Sequence, residues 1–194
     1  MLERFRRKRR NRAIVEHLYD GIVARARSPL FFEAGGLPDT VMGRFDALAV
    51  EMFLFLRRCG SEPALQPLAQ DVVDRFMTDM DHSMREIGIG YMTVPKRMRK
   101  LAGLFYQRVR ALGGPLDRAD RDGLAAALQG EKLGGGDALS DAHIAFWTAH
   151  ILDTSHLYAA IDRTEILAGR WPVDGNYPLT RQVSGRPGLW QAVL

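Results

Sequence analysis

Three histidines and an aspartate, His143, His150, Asp153 and His156, fall within one short stretch of the chain. Imidazole and carboxylate are metal ligands, but a transition-metal site needs three or four donors converging with defined geometry. His143 and His150 stand seven apart, a spacing that two helical turns align, and His150 and Asp153 form one close i,i+3 pair. No ExxH or HExxH pair occurs, so these residues read as helix-surface or capping side chains and no metal is expected. Cys59, the single cysteine, follows the apolar run Met52-Phe53-Leu54-Phe55-Leu56 and reads as a small buried hydrophobe rather than a reactive thiol. One cysteine also excludes an internal disulfide and a multi-thiolate metal site. Gly88-x-Gly90 contains part of a dinucleotide fingerprint, but no strand precedes it and the third glycine is missing. No GxSxG, P-loop or Cys–His arrangement is present. Nothing nominates a catalytic group, a cofactor or a small-molecule substrate.

The chemistry that does concentrate is positive charge. On a helical wheel, Val94, Met98, Leu101, Ala102, Phe105, Tyr106 and Val109 share one arc, while Lys96, Arg97, Arg99, Lys100, Arg108 and Arg110 fill the opposite one with no acid between them. This describes either a solvated core helix, since long basic side chains cover helix surfaces well, or a docking face for nucleic acid, anionic lipid or an acidic protein. Arg85 and Glu86, just before the paired glycines, read either as exposed charges or as a lock on the turn, with Glu86 pairing to Lys96 or Arg97. A second concentration lies at residues 1–12, where seven cations face one acid for a net of +6. The rest of the chain then holds 20 cations and 22 acids, a net of −2, so the overall +4 resides in the tail.

The elements that must position these residues are helical throughout. Ile14, Val15, Leu18, Tyr19, Ile22 and Val23 keep three-and-four spacing over 13–27, and Ser28-Pro29 ends that helix. After a loop at 35–38, Asp39 can cap a helix whose wide apolar face (Val41, Met42, Phe45, Leu48, Ala49, Met52, Phe53, Leu56) marks it as central and largely buried. Further helices are expected over 64–87, from Thr93-Val94-Pro95 to about Leu112, and over 117–129, 140–153 and 155–168. Prolines at 172, 178 and 187 and glycines at 175, 185 and 188 make 171–194 an extended arm. The expected fold is all-α: a single compact domain of six or seven helices over 13–170, flanked by an irregular basic N-terminus (1–12) and the C-terminal arm. No run approaches the ~20 apolar residues of a membrane-spanning helix. The N-terminus lacks an apolar h-region, so no secretory signal is expected.

Met84-Arg85-Glu86-Ile87-Gly88-Ile89-Gly90 followed by Val94-Pro95-Lys96-Arg97-Met98 resembles the ubiquinol–cytochrome c chaperone family. Ala13-Ile14-Val15, Tyr19-Asp20, Gly36-Leu37-Pro38-Asp39-Thr40, Gly43-Arg44-Phe45-Asp46 and Ile166-Leu167-Ala168-Gly169-Arg170 add to the likeness, which is clearest over 13–112. Tyr91 departs from it, standing where the family places an acidic residue. The resemblance implies a non-enzymatic assembly factor that binds newly made apocytochrome b and supports biogenesis of the bc1 complex. It also implies work near the ribosomal tunnel exit, peripheral to the inner membrane, where the basic tail is suited to meet ribosomal RNA or an anionic membrane surface. The expected setting is the bacterial cytoplasm, or the mitochondrial matrix side in a eukaryote. The expected partner surface is Arg85, Glu86, Gly88, Gly90, Met92, Pro95, Lys96, Arg97, Arg99 and Lys100. Met77, Met80, Met84, Met92 and Met98 cluster around it, either as core fillers or as an adaptable surface for an apolar client. The alternative reading is a ribosome- or RNA-binding module built on residues 4–12 and the helix 94–110. An enzyme using the His143–His156 region is the weakest.

Overall fold

The widest apolar face in the sequence becomes the central helix. The structure, a computed structural model, describes residues 2–86, 90, 92–131, 133–135 and 138–172, with side chains from Asn11 onward. Among these residues the helices are α1 (Leu2–Ala26), α2 (Pro29–Glu33), α3 (Val41–Gly60), α4 (Gln66–Glu86), α5 (Val94–Asp117), α6 (Arg121–Gly130), α7 (Asp141–Ala159) and α8 (Arg163–Leu167). Short 3-10 turns lie at Pro63–Leu65 and Leu133–Gly135, and no strand occurs among the described residues. Six helices have ten residues or more, while α2 and α8 are five-residue turns. The all-α fold is as expected.

Several boundaries differ from the sequence reading, each for a local reason. The N-terminal segment is not irregular: α1 begins at Leu2, because arginine, lysine and glutamate are good helix formers and no Gly or Pro interrupts them. Thr40, not Asp39, caps α3, its hydroxyl accepting from the Gly43 amide at 3.2 Å, while Asp39 pairs with Arg44 at 2.7 Å. α5 continues through Gly113-Gly114-Pro115 to Asp117, since Leu112 and Leu116 are both buried and Asp117 is held by Arg57. The two expected helices at 140–153 and 155–168 are instead one long helix, α7, and the short α8. Thr154 is buried within α7, and Asp162 caps α8, its carboxylate accepting from the Thr164 amide at 2.7 Å. Of the C-terminal arm only Trp171 and Pro172 are described. Trp171 is buried against Gly21, Phe55 and Tyr158, and residues 173–194 lie outside the described residues.

α3 is gripped from two sides through two fully buried carboxylates five residues apart, which a helix turns about 140° from one another. Asp46 takes the Arg108 guanidinium of α5 and the backbone N–H of Gly134. Gly134 has φ 79°, and a Cβ there would lie 2.4 Å from Pro38 Cδ, so only glycine brings this N–H onto the carboxylate. Glu51 accepts from Tyr158 at 2.5 Å and from Arg25 at 3.1 Å, and contacts His150 Nε2 at 2.8 Å. These contacts join α3 to α1 and α7. Burial alone would push the Glu51 carboxyl up, but His150, Arg25 and Tyr158 together hold it down at about 2. Burial pushes the Asp46 carboxyl up, against the opposing pull of Arg108 and Gly134.

The pairs also set helix directions. Glu16 meets Arg75 and Tyr19 meets Asp79, so α1 and α4 run parallel. Asp46 meets Arg108 and Arg57 meets Asp117, so α3 and α5 also run parallel. α1 opposes α3, with Arg25 at Glu51 and Trp171 bridging Gly21 to Phe55.

Replacing Glu51 by Gln leaves Arg25 and His150 without their buried anion and is expected to lower unfolding free energy by about 3–5 kcal/mol in urea titrations. The folded value of Glu51 lies below its ordinary 4.5, so its stabilisation is full above that pH and lost as pH falls toward about 2. Asp46, shifted up, acts in the opposite sense. Stability measured against pH should therefore fall less steeply on the acid side in Glu51→Gln than in the native chain.

Candidate functional site

Four long helices and one short turn converge at one end of the bundle without closing it. The C-terminal ends of α1 and α4, the N-terminal ends of α3 and α5, and α2 enclose a cleft of about 1180 Å³. Its walls are apolar: Phe32 from α2, Met42, Phe45 and Leu48 from α3, Met80 and Met84 from α4, Leu101 and Leu104 from α5. Three methionines among these give the lining conformational adaptability, because an unbranched thioether repacks easily. Arg27, Arg44, Arg97 and Lys100 stand on the rim with Glu33, Asp39 and Asp79.

The rim is less balanced than that inventory implies. Asp39 is engaged by Arg44 at 2.7 Å, and Asp79 takes Tyr19 at 3.0 Å and Arg75 at 3.2 Å. Burial, reinforced by the Asp79 charge, raises the Tyr19 phenol well above its ordinary value, so it acts there as a neutral donor. Among the described residues no ion pair takes up Arg27, Arg97 or Lys100, nor the one remaining rim acid, Glu33, so three cations stand against a single carboxylate. The cleft mouth is therefore cationic, and the N-terminal end of α5, whose Thr93 makes no side-chain cap, adds positive character.

The expected partner residues fall around this mouth. Arg85 and Glu86 are exposed at the end of α4, and Arg85 reaches Asp81 at 2.6 and 3.0 Å. Among the described residues no ion pair joins Glu86 to Lys96 or Arg97, so the expected lock does not form. Gly90 is exposed, and its carbonyl accepts from the Thr93 amide at 2.8 Å, leading the chain into α5. Met92 is 89% exposed, and Pro95 occupies the first turn of α5. Lys96, Arg97, Arg99 and Lys100 are exposed, but only Arg97 and Lys100 line the cleft. Gly88 and Tyr91 lie outside the described residues.

Arg108 was expected on the exposed cationic face and is instead buried on Asp46, with Glu131 at 3.8 Å. The sign of this was its register. Seven residues beyond Leu101, it lies only about 20° from it on the wheel. The walls contributed by α2 and α3 were also missed. Val41 and Met42 stand at the start of an apolar face that outruns the helices available to cover it, and Phe31-Phe32 is an aromatic pair beside a loop.

The other candidate chemistries are structural. His150 is buried on Glu51, His143 packs over Gly36, and His156 is exposed, so the three diverge. No group of three potential metal donors exists among the described residues. Burial pushes the Cys59 thiol up to about 12, which leaves it protonated and unreactive.

An all-helical body with a large, methionine-bearing, cation-rimmed cleft belongs to the class of helical binding proteins. Residues 33–173 match the family described as "Ubiquinol-cytochrome C chaperone", and the chain belongs to that family. It is similar to the solved structure described as the Cbp3 homolog from Brucella abortus. The two share 42% identity over 87% of this chain and 93% of that one, with a TM-score of 0.74. No curated protein matches the chain. Membership of this family makes it a chaperone, whose client is a protein.

The buried and exposed cations of α5 should separate in stability measurements. Arg108→Gln strands the Asp46 carboxylate and is expected to cost about 3 kcal/mol or more. Lys96→Gln and Arg99→Gln should each stay within about 0.5 kcal/mol of the native chain.

Proposed function

We propose that this chain is a bc1-assembly chaperone that holds a segment of newly synthesised apocytochrome b in the cleft between α1, α3, α4 and α5. The observation that carries this reading is the cleft itself. Its volume is in the range that accepts several side chains, its walls offer Met42, Met80 and Met84, and cations crowd its rim. An apolar segment of a membrane protein outside the bilayer needs an apolar surface to cover it, and a methionine-bearing wall fits segments of different shape. Arg97 and Lys100 at the mouth suit acidic residues flanking such a segment. Of the expected partner residues, Arg97 and Lys100 stand in this reading at the entrance to the site, Lys96 and Arg99 lie outside it, and the α2–α3 wall is its floor. No haem or metal contact enters it.

No helix among the described residues is long and apolar enough to cross a membrane. The reading places the chaperone at the membrane surface, on the cytoplasmic side in a bacterium or the matrix side in a mitochondrion, near the ribosomal tunnel exit. The RNA-binding alternative would draw on residues 4–12 together with α5. α1 carries its first twelve residues away from the cleft, about 20–35 Å from its C-terminal end at 1.5 Å per residue, so the basic tail does not line the cleft mouth.

A photocrosslinker placed at Met42, Met80 or Leu101 should capture apocytochrome b in cells assembling the bc1 complex, whereas one at the exposed Arg121 of α6 should not. Leu101→Glu, which sets a carboxylate in the apolar wall, should reduce capture at least tenfold and lower the haem b absorbance of membranes. Normal haem b in cells lacking the chain altogether would sink the reading.

A further inference from the structure

We propose that the outward stripe of α5 docks on an anionic phospholipid bilayer, a second surface that shares an edge with the cleft and faces away from it. The proposal rests on the cleft reading for its purpose but not for its geometry. Lys96, Arg99, Gly103, Tyr106 and Arg110 follow one another at three- and four-residue spacing, and all five are exposed. On a helix they form one stripe about 20 Å long. Met92, almost wholly exposed, lies just ahead of its first turn, and Lys100 flanks it.

This surface carries an excess of positive charge. α5 contains no acid before Asp117. Among the described residues Asp81 is engaged by Arg85, Glu131 by Gln107 and Arg108, and Asp117 by Arg57, which leaves Glu86, exposed at the end of α4, as a single acid against these cations. No ion pair among the described residues takes Lys96, Arg99, Lys100 or Arg110. A stripe of exposed cations of this kind is attracted to anionic headgroups, each contributing roughly a fivefold gain in binding.

Two features favour lipid over RNA. Met92 gives the stripe an apolar tip, which can enter the headgroup region while the cations stay with the phosphates. Tyr106, whose ring is apolar and whose hydroxyl is polar, is the type of side chain that settles at the membrane–water boundary. A single-stranded RNA site instead uses several aromatic faces on which successive bases stack. Among the described residues Tyr106 is the only aromatic side chain that is largely exposed.

With the chaperone so placed, Arg97 and Lys100 lie between the bilayer-facing stripe and the cleft, and the cleft opens beside the membrane rather than onto it. A client segment can then pass between lipid and cleft along the edge the two surfaces share.

The full chain should co-sediment with vesicles of phosphatidylcholine mixed with phosphatidylglycerol, release them as salt rises, and ignore vesicles of phosphatidylcholine alone. The double variant Lys96→Gln/Arg99→Gln should lower partitioning onto the mixed vesicles about 25-fold, two cations at roughly fivefold each. It should keep its helical circular dichroism and its crosslinking to client, since neither residue lines the cleft. Met92→Trp should show blue-shifted emission when mixed vesicles are added. Undiminished vesicle binding by the double variant, with loss on neutralising the arginines of residues 4–12 instead, would overturn the proposal. So would displacement of the vesicles by polyuridylate with no emission shift at position 92, which marks an RNA surface. Vesicle binding that persists where client capture fails supports the stripe and refutes only the cleft reading.

Discussion

Two carboxylates buried on one helix hold this molecule in register. Asp46 and Glu51 sit at the centre of α3, with no exposure to solvent, and each is reached by an arginine from a different helix. An unpaired charge in such a place would be strongly destabilising, whereas a paired and fully hydrogen-bonded one is tolerated and demands a specific arrangement. Apolar contacts alone would let α1, α5 and α7 slide along α3 by a turn at modest cost. The pairs Arg25–Glu51 and Arg108–Asp46 forbid that, because a slide strands both charges. Tyr158 and His150 close the remaining valences of Glu51, and Gly134 and Arg108 those of Asp46.

That register is what leaves the cleft open. With α1 and α3 antiparallel and α3 and α5 parallel, α1 ends where α3 and α5 begin. The helix ends enclose a gap there, and α2 lines only part of it. The apolar face of α3 is therefore buried along its middle and uncovered at its start, where Val41 is exposed and Met42 lines the cleft wall. The rim inherits its charge from the same geometry. Arg97 and Lys100 point into the mouth because α5 enters the bundle there, and Lys96 and Arg99, one position away in each case, point outward. One helix thus offers cations to two different surfaces, and buries a third class of cation, Arg108, inside the protein.

Much of the fold was legible because its helices are bounded by glycine and proline and carry clear apolar periodicity. Boundaries failed where a local breaker was overruled by contacts distant in sequence. Gly113-Gly114-Pro115 does not stop α5, because Leu112, Leu116 and the Arg57–Asp117 pair favour another turn. The family motif at Met84–Met98 lies beside the cleft, but on only one side of it. The opposite wall comes from Phe32 and Met42, which no motif marks and which join Met80 and Leu101 only through the fold. The buried carboxylates were visible in principle. Asp46 and Glu51 are the two charges inside a run from Phe45 to Leu56 that is otherwise apolar, and a helix apolar on so much of its circumference has no solvent side to give them.

The turn at Leu133–Gly135 has a consequence for how this sequence can drift over generations. Gly134 must lack a side chain because the Pro38 ring occupies that space, and its amide must face Asp46, which in turn must face Arg108. Asp46, Arg108 and Gly134 come from three separate stretches of chain, yet no one of them can be exchanged alone without leaving a buried charge or a steric overlap with Pro38. They constitute one inherited unit, and among related chains they should be found either all present or all replaced together.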